Sequence, residues 1–261
     1  MKRFLEGQVA VVTGASNGLG VATARFLAQA GAAVVVSARR ADPLRALAAE
    51  LNEWQLPAVP CTADLRSDQD IARLSQTALQ AFGRIDIVMN IGGTADGIGR
   101  NLWDVSAREW DEIRAVNIDG PMSLVRHFLP VMLRQGGGRM LFLSSSATQR
   151  PVPRSGAYAA SKMAVNGLVH SLPLEIGEVP IAFNAFNPGP VDTETHRDVM
   201  RGLQQTGPTV VRSAEMAAAM PLWLCAPHTY GMTGQFLHWR DEDIYAAVQG
   251  FAADVNLPNR R

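Results

Sequence analysis

Residues 9–20 read VAVVTGASNGLG. The first five are apolar or β-branched throughout, the pattern of a strand buried on both faces of a parallel sheet. Gly14, Gly18 and Gly20 follow at once, and a helical pattern runs from Gly18 to Ala30. Glycine at a strand-to-helix turn has two uses. It permits a tight turn, and its bare backbone lets a pyrophosphate approach the helix N-terminus. The spacing is T-G-x-x-x-G-x-G rather than G-x-G-x-x-G.

Working outward, short apolar runs alternate with helical patterns. Strands are expected at 9–13, 33–37, 85–89, 139–143 and 181–186, with weaker ones at 58–61 and 235–239. Helical segments are expected at Gly18–Ala30, Asp42–Trp54, Ser67–Phe82, Ser106–Arg134, Ser155–Gly177 and Ser213–Cys225. Strand and helix in alternation mean an α/β chain: a single doubly wound parallel sheet with right-handed crossovers and helices on both faces. No repeat, low-complexity tract or linker interrupts it, so residues 1–261 read as one domain. The stretch 188–212 follows a strand, mixes Gly, Pro, Thr and charges, and fits the alternation least. Ligands sit beyond the carboxyl ends of such strands, so it is the candidate lid of a substrate pocket.

Bulk composition excludes several classes. The 261 residues are 47% hydrophobic, enough for a large core. Lys and Arg number 24, as do Asp and Glu, which argues against nucleic acid or an anionic membrane as partner. No run approaches the ~20 apolar residues of a membrane span. The N-terminus lacks the apolar core of a signal peptide. Cys61 and Cys225 form neither a disulfide framework nor a metal motif. These traits fit a reduced, cytoplasmic protein that needs no metal.

A second stretch, SGAYAASKMA at 155–164, puts Tyr158 and Lys162 at i and i+4 on one face of a helix start. Alone, the pair fits an amphipathic surface helix with a lysine reaching for solvent.

Together the two stretches resemble the short-chain dehydrogenase/reductase (SDR) family, whose members are NAD(P)-binding Rossmann-fold oxidoreductases. Further segments match in order: Asp64 after the third strand, Met89–Gly93 (MNIGG), Asn117 in AVNIDG, the serines 144–146, and NPGPVDT at 187–193. The resemblance covers nearly the whole chain and implies hydride transfer between a nicotinamide cofactor and a carbonyl or secondary alcohol. Tyr158 would be the general acid or base. Lys162 would lower its pKa and hydrogen-bond the nicotinamide ribose. Ser145, flanked by Ser144 and Ser146, would polarise the substrate oxygen. Asn117 would interrupt its helix and hold a water leading to the lysine.

The resemblance also implies cofactor contacts. These are Gly14, Ser16, Asn17, Gly18, Leu19 and Gly20 in the glycine turn, Asp64 and Leu65 at the adenine, Asn90 and Gly92 on the adenosine side, Tyr158 and Lys162, and Pro188, Val191 and Thr193 along the nicotinamide. At the second strand's end, VVVSARR puts Ala38 where NAD-preferring relatives carry an acid, then Arg39 and Arg40. Arginine suits a 2′-phosphate, so NADP(H) is expected, with Arg39 as main contact and Ser37 beside it. Neutral Asn17 stands where some NADP-preferring members carry a base. The family's N-N-A-G reads Met89-Asn90-Ile91-Gly92 here, which bears on packing more than on chemistry.

The substrate is the least legible part. The pocket walls should be 93–101, 147–154 and the lid, and the substrate a small carbonyl or alcohol. A 3-oxoacyl thioester on a carrier is the alternative, with Arg150, Arg154, Arg197 and Arg201 as its candidate contacts. A non-catalytic dinucleotide sensor is the rival of another class. His196 has no metal partner in sequence, and His127 lies on an apolar helix as a core or interface residue. By resemblance, helices 106–134 and 155–177 would form the interface of a homodimer or homotetramer, with a second interface near 235–239.

Overall fold

The structure is a computed structural model that describes residues 1–150, 152–203 and 211–257. In chain order the main elements begin β1 (Val9–Thr13), α1 (Gly18–Gln29), β2 (Ala33–Ala38), α2 (Ala41–Glu53), β3 (Ala58–Thr62), α3 (Asp68–Phe82) and β4 (Ile87–Asn90). They continue with α4 (Ala107–Arg114), α5 (Gly120–Gln135), β5 (Gly138–Leu143), α6 (Gly156–Ile176), β6 (Ile181–Asn187), α7 (Glu194–Leu203), α8 (Ala214–Trp223), β7 (Gln235–His238) and α9 (Glu242–Asp254). The strands form one seven-stranded sheet in the order β3-β2-β1-β4-β5-β6-β7, parallel at every pairing. The order reverses between β1 and β4, the switch point beside whose carboxyl ends sheets of this kind bind their ligands.

The near-continuous apolar strands are explained by a two-sided core. Ala10 and Val12 of β1, Val34 and Val36 of β2, and Ile87 and Met89 of β4 pack with α1, α2, α8 and α9. Val11, Val35 and Val88, one residue out of phase, pack with α3, α5 and α6. A period of two along each strand thus feeds two cores, and a polar residue in either phase would be buried.

Two features bear on the site, the first an interruption at Asn117 as the resemblance implied. The 106–134 segment is two α-helices joined by a π-helical turn, Ala115–Asp119, with Asn117 at its centre. The candidate lid contains a helix, α7, which the sequence reading left irregular; of the 188–212 stretch, residues 204–210 lie outside the described residues. The final helix, α9, was not anticipated. Nor was Arg139, which is buried to 2%. Its guanidinium donates to the Leu224 and Ala226 carbonyls beyond α8 and lies 3.8 Å from the Tyr230 ring.

Candidate active site

The glycine turn fits a dinucleotide by shape and by its free donors. Gly14 has φ +71°, and a Cβ there would lie 2.7 Å from the Gly92 nitrogen. A Cβ on Gly20 would stand 2.1 Å from the Gly14 carbonyl oxygen. Side chains are therefore excluded where β1, β4 and α1 converge. Asn17 flanks α1 in an extended conformation and makes no side-chain cap, whereas Ser67 and Ser106 cap α3 and α4. The first amides of α1 stay free of a side-chain acceptor, as an incoming phosphate requires. Thr13 holds the turn against β4: its hydroxyl donates to Asn90 Oδ1 at 2.7 Å and accepts from the Gly92 N–H at 3.2 Å. Thr193 lies over the same turn, with its methyl 2.6 Å from where a Gly18 Cβ would be. The Pro188–Thr193 segment is thereby brought onto the glycine turn.

At the adenosine end the sequence reading needs adjustment. Arg39 is exposed, and its charge helps hold the Asp64 carboxyl below its ordinary range, a shift led by the hydrogen bond from Arg66. Arg66 grips Asp64 with Nη2–Oδ2 at 2.7 Å and reaches Glu112 Oε2 with Nη1 at 2.9 Å. Asp64 is therefore already a salt-bridge acceptor. It is Arg40, not Arg39, that approaches the glycine turn, with Nη2 3.4 Å from the Ser16 hydroxyl. Ser37 is buried to 1%, beneath the surface that a 2′-phosphate would meet.

The four residues expected at the reaction centre converge. Asn117 is buried to 1%. Its Oδ1 accepts from the Thr94 N–H at 2.9 Å, and its Nδ2 donates to the Thr94 carbonyl at 2.9 Å and the Ser161 hydroxyl at 3.0 Å. Ser161 donates in turn to the Tyr158 carbonyl at 2.7 Å. The π-helical turn is what swings Asn117 out of the helical ladder to face the loop after β4. Lys162 is buried to 5%, and its ammonium donates to the Leu143 carbonyl at the end of β5, 3.0 Å away. Lys162 Nζ is 5.9 Å from the centroid of the Tyr158 ring. A Cβ at Gly93 would lie 3.2 Å from Asn117 Oδ1 and 3.3 Å from Lys162 Nζ, so the two side chains share one glycine-floored hollow.

Among the three serines the geometry separates the roles. Ser144 is buried and donates to Asn166 Oδ1 at 2.7 Å. Ser146 starts a short 3-10 turn. Ser145 accepts from the Ala147 N–H at 3.2 Å and is the serine that acts on the Tyr158 phenol.

The electrostatics differ from expectation. Burial pushes the Tyr158 phenol above its ordinary pKa, and Ser145 works against that rise. The Lys162 ammonium, 5.9 Å from the phenol ring's centroid, donates to the Leu143 carbonyl and is itself desolvated. Burial brings Lys162 down to about 8.

Around the hollow the three expected pocket walls meet. The Gly99 N–H donates to the Arg154 carbonyl at 2.7 Å, and Arg154 Nη2 donates to the Leu203 carbonyl at the end of α7 at 2.6 Å. Arg197 and Arg201 pair with Asp192 and Asp198 within the lid. Three of the four arginines considered for a carrier are thus engaged locally, which leaves Arg150. His196 is partly buried and donates its main-chain N–H to the Thr193 hydroxyl. His127 is half-buried on α5, with its Nε2 3.1 Å from Asp68 Oδ1. Sequence reasoning missed Thr13, Arg66, Ser161 and Arg212 as members of the site's framework. Thr13 alone had a local signal, the residue leading into the glycine turn.

Comparison with known proteins agrees with this arrangement. The sequence profile of the short chain dehydrogenases matches residues 8–204. The chain is 37% identical over 197 residues to a short-chain type dehydrogenase/reductase of Picea abies, covering 73% of each. It is 30% identical to the 7alpha-hydroxysteroid dehydrogenase of Escherichia coli (strain K12) over 89% of this chain and 92% of that protein. An actinorhodin polyketide ketoreductase solved with NADPH superposes with a TM-score of 0.82 at 27% identity, over 91% of this chain and 97% of that one. A 7 alpha-hydroxysteroid dehydrogenase solved with NADH and 7-oxo glycochenodeoxycholic acid superposes with a TM-score of 0.81 at 29% identity, over 90% and 93%. The chain belongs to the short-chain dehydrogenase/reductase family and is an NAD(P)-dependent Rossmann-fold oxidoreductase.

Proposed function

We propose that this enzyme interconverts a carbonyl and a secondary alcohol with NADP(H), through Tyr158, Lys162, Ser145 and Asn117. The observation that carries the reading is the shared hollow, where Asn117 Oδ1 and Lys162 Nζ both come within 3.3 Å of the place a Gly93 Cβ would occupy. The nicotinamide, when bound, supplies or accepts the hydride. The glycine turn with Ser16, Asn17 and Leu19, then Asp64, Leu65, Asn90 and Gly92, and finally Pro188, Val191 and Thr193 would hold it along the crevice. Ser145 donates to the substrate oxygen. Tyr158, protonated at neutral pH as an ordinary phenol is, would give its proton to the substrate oxygen in reduction; burial makes the phenol a weaker acid, and Ser145 works against that. Lys162, whose pKa burial lowers to about 8, would hydrogen-bond the nicotinamide ribose, and Asn117 would hold a water leading to it.

NADP(H) is favoured because Arg39 and Arg40 are exposed at the end of β2, which closes on Ala38 rather than on an acid that would repel a phosphate. Among the relatives, the polyketide ketoreductase binds NADPH and the steroid dehydrogenase NADH, so the arginines carry this point. The test is turnover of NADPH and NADH against cyclic ketones, steroid ketones and 3-oxoacyl thioesters. Turnover with NADPH at least about tenfold more efficient than with NADH supports the reading. A preference for NADH overturns the cofactor assignment while leaving the centre in place.

The steroid dehydrogenase was solved with 7-oxo glycochenodeoxycholic acid and the other relative is by name a polyketide ketoreductase, and we read the substrate as a small-molecule ketone or its alcohol. The engagement of Arg154, Arg197 and Arg201 weighs against a carrier-bound thioester. The described residues contain no helix long and apolar enough to cross a membrane. With two buried, unpaired thiols the chain is read as cytoplasmic. Residues 1–261 are read as one domain with 188–212 as its lid. Met122 and Leu133 of α5 and Met163 and Leu174 of α6 are exposed, and we read that face as the seat of a second copy in a homodimer or homotetramer. Light scattering that gives a monomer mass would overturn the last point.

A further inference from the structure

The lid has two feet, and they are tied to each other. Val191 and Arg212 form a parallel bridge. The Arg212 N–H donates to the Pro190 carbonyl at 2.9 Å, and the Asp192 N–H donates to the Arg212 carbonyl at 2.9 Å. The side chain adds a third tie, with Nη1 donating to the Pro188 carbonyl at 3.1 Å. The same guanidinium lies 4.9 Å from the centroid of the Trp239 ring and 5.2 Å from that of Tyr245. Trp239 extends β7 by donating its N–H to the Asn187 carbonyl at 3.0 Å. Its indole packs on Gly189, where a Cβ would stand 2.9 Å away. One cation thus ties the end of β6 to β7 and α9.

Among the described residues no carboxylate pairs with Arg212. Burial lowers its pKa, with Tyr245 acting against that. A partly desolvated guanidinium without a counter-ion is unfavourable unless carbonyls and aromatic faces replace water. Here they do so on the one segment that the dinucleotide reading places beside the nicotinamide.

We propose that Arg212 is a positioning residue for the nicotinamide half of the cofactor, clamping Pro188–Val191 against Trp239 and Tyr245. This rests on the reading of Pro188–Thr193 as the nicotinamide wall. Arg212 itself touches no reacting atom. Its flat fork both donates to the Pro188 carbonyl and stacks, which a lysine ammonium cannot do together.

The test measures, by calorimetry, the Kd of NADPH and of adenosine 2′,5′-bisphosphate, which carries the adenosine half without nicotinamide. Wild type, Arg212→Ala, Arg212→Lys and Tyr245→Leu are compared, with thermal melts of each. Arg212→Ala should weaken NADPH about tenfold and leave the bisphosphate within about twofold. Arg212→Lys should recover little of the loss, and Tyr245→Leu should fall between. Unchanged NADPH affinity, or equal weakening of both ligands, overturns the proposal. Should Arg212→Ala fail to fold, the same two-ligand comparison on Arg212→Lys and Tyr245→Leu decides. A wild type that binds NADPH no more tightly than the bisphosphate instead overturns the nicotinamide-wall reading, and the proposal with it.

Discussion

The Lys162 ammonium donates to the Leu143 carbonyl across 3.0 Å, so the buried cation is anchored to the end of β5 rather than to Tyr158. Burial brings its pKa from 10.5 to about 8. The folded protein therefore holds fewer protons than the unfolded chain between these values, and stability from this group rises with pH across that window. Below pH 8 the fold carries the cost of a desolvated charge. Lys162→Met should be inactive yet lose its stability advantage over wild type by ~3 kcal/mol as pH rises from 8 to 10.5. Denaturant melts across that range check it. A difference that does not vary with pH would show that the ammonium is well solvated.

Asn117 satisfies three partners from a site that is 1% exposed. Asn117→Ala leaves the Thr94 main chain without its side-chain partner and removes one of the two hydrogen bonds of the Ser161 hydroxyl. A loss of about 2–4 kcal/mol in urea unfolding is expected. Activity should fall as well, since the Gly93–Thr94 loop loses its tether beside Lys162. Retention of full activity would mean that the tether serves the fold alone.

Gly14→Ala combines a left-handed φ of +71° with a contact of 2.7 Å to the Gly92 nitrogen. The expected result is a loss of about 2–4 kcal/mol and of measurable cofactor binding. Circular dichroism melts and fluorescence titration with NADPH read both.

Arg39→Ala and Arg40→Ala separate the two arginines at the end of β2. Arg39→Ala should lower the NADPH-over-NADH preference by about tenfold or more. Arg40 reaches toward Ser16, so Arg40→Ala should produce the smaller change. Reversal of that order in steady-state kinetics would move the phosphate contact to Arg40.

Much of this was legible in the chain because the informative signals are local. The apolar runs matched the strands to within two residues, since a strand buried on both faces is mostly apolar and admits a polar residue, such as Arg139 or Thr13, only where hydrogen-bond partners meet it. The glycine turn was legible because φ and contact distance force the residue type. Tyr158 and Lys162 share a face through helical spacing alone. What the sequence did not reveal arises from long-range geometry. The Arg66 grip that joins Asp64 to Glu112 crosses 46 positions. The Arg212 clamp depends on how β6, β7 and α9 meet. The rise in the Tyr158 pKa comes from burial of the phenol, which helical spacing does not show, and the Leu143 carbonyl that partners the ammonium lies on another element. The helix α7 went unread because Gly, Pro and Thr flank a short, strongly charged segment with no buried face.

The most direct test of the central claim is a paired measurement on wild type and Tyr158→Phe: NADPH affinity by calorimetry and turnover of one reducible ketone. The phenol is assigned the proton and no indispensable cofactor contact. The account therefore predicts Kd within about threefold and kcat lower by roughly 10²–10⁴-fold. Turnover in Tyr158→Phe close to that of wild type would contradict it, and would place the proton donor elsewhere in the pocket.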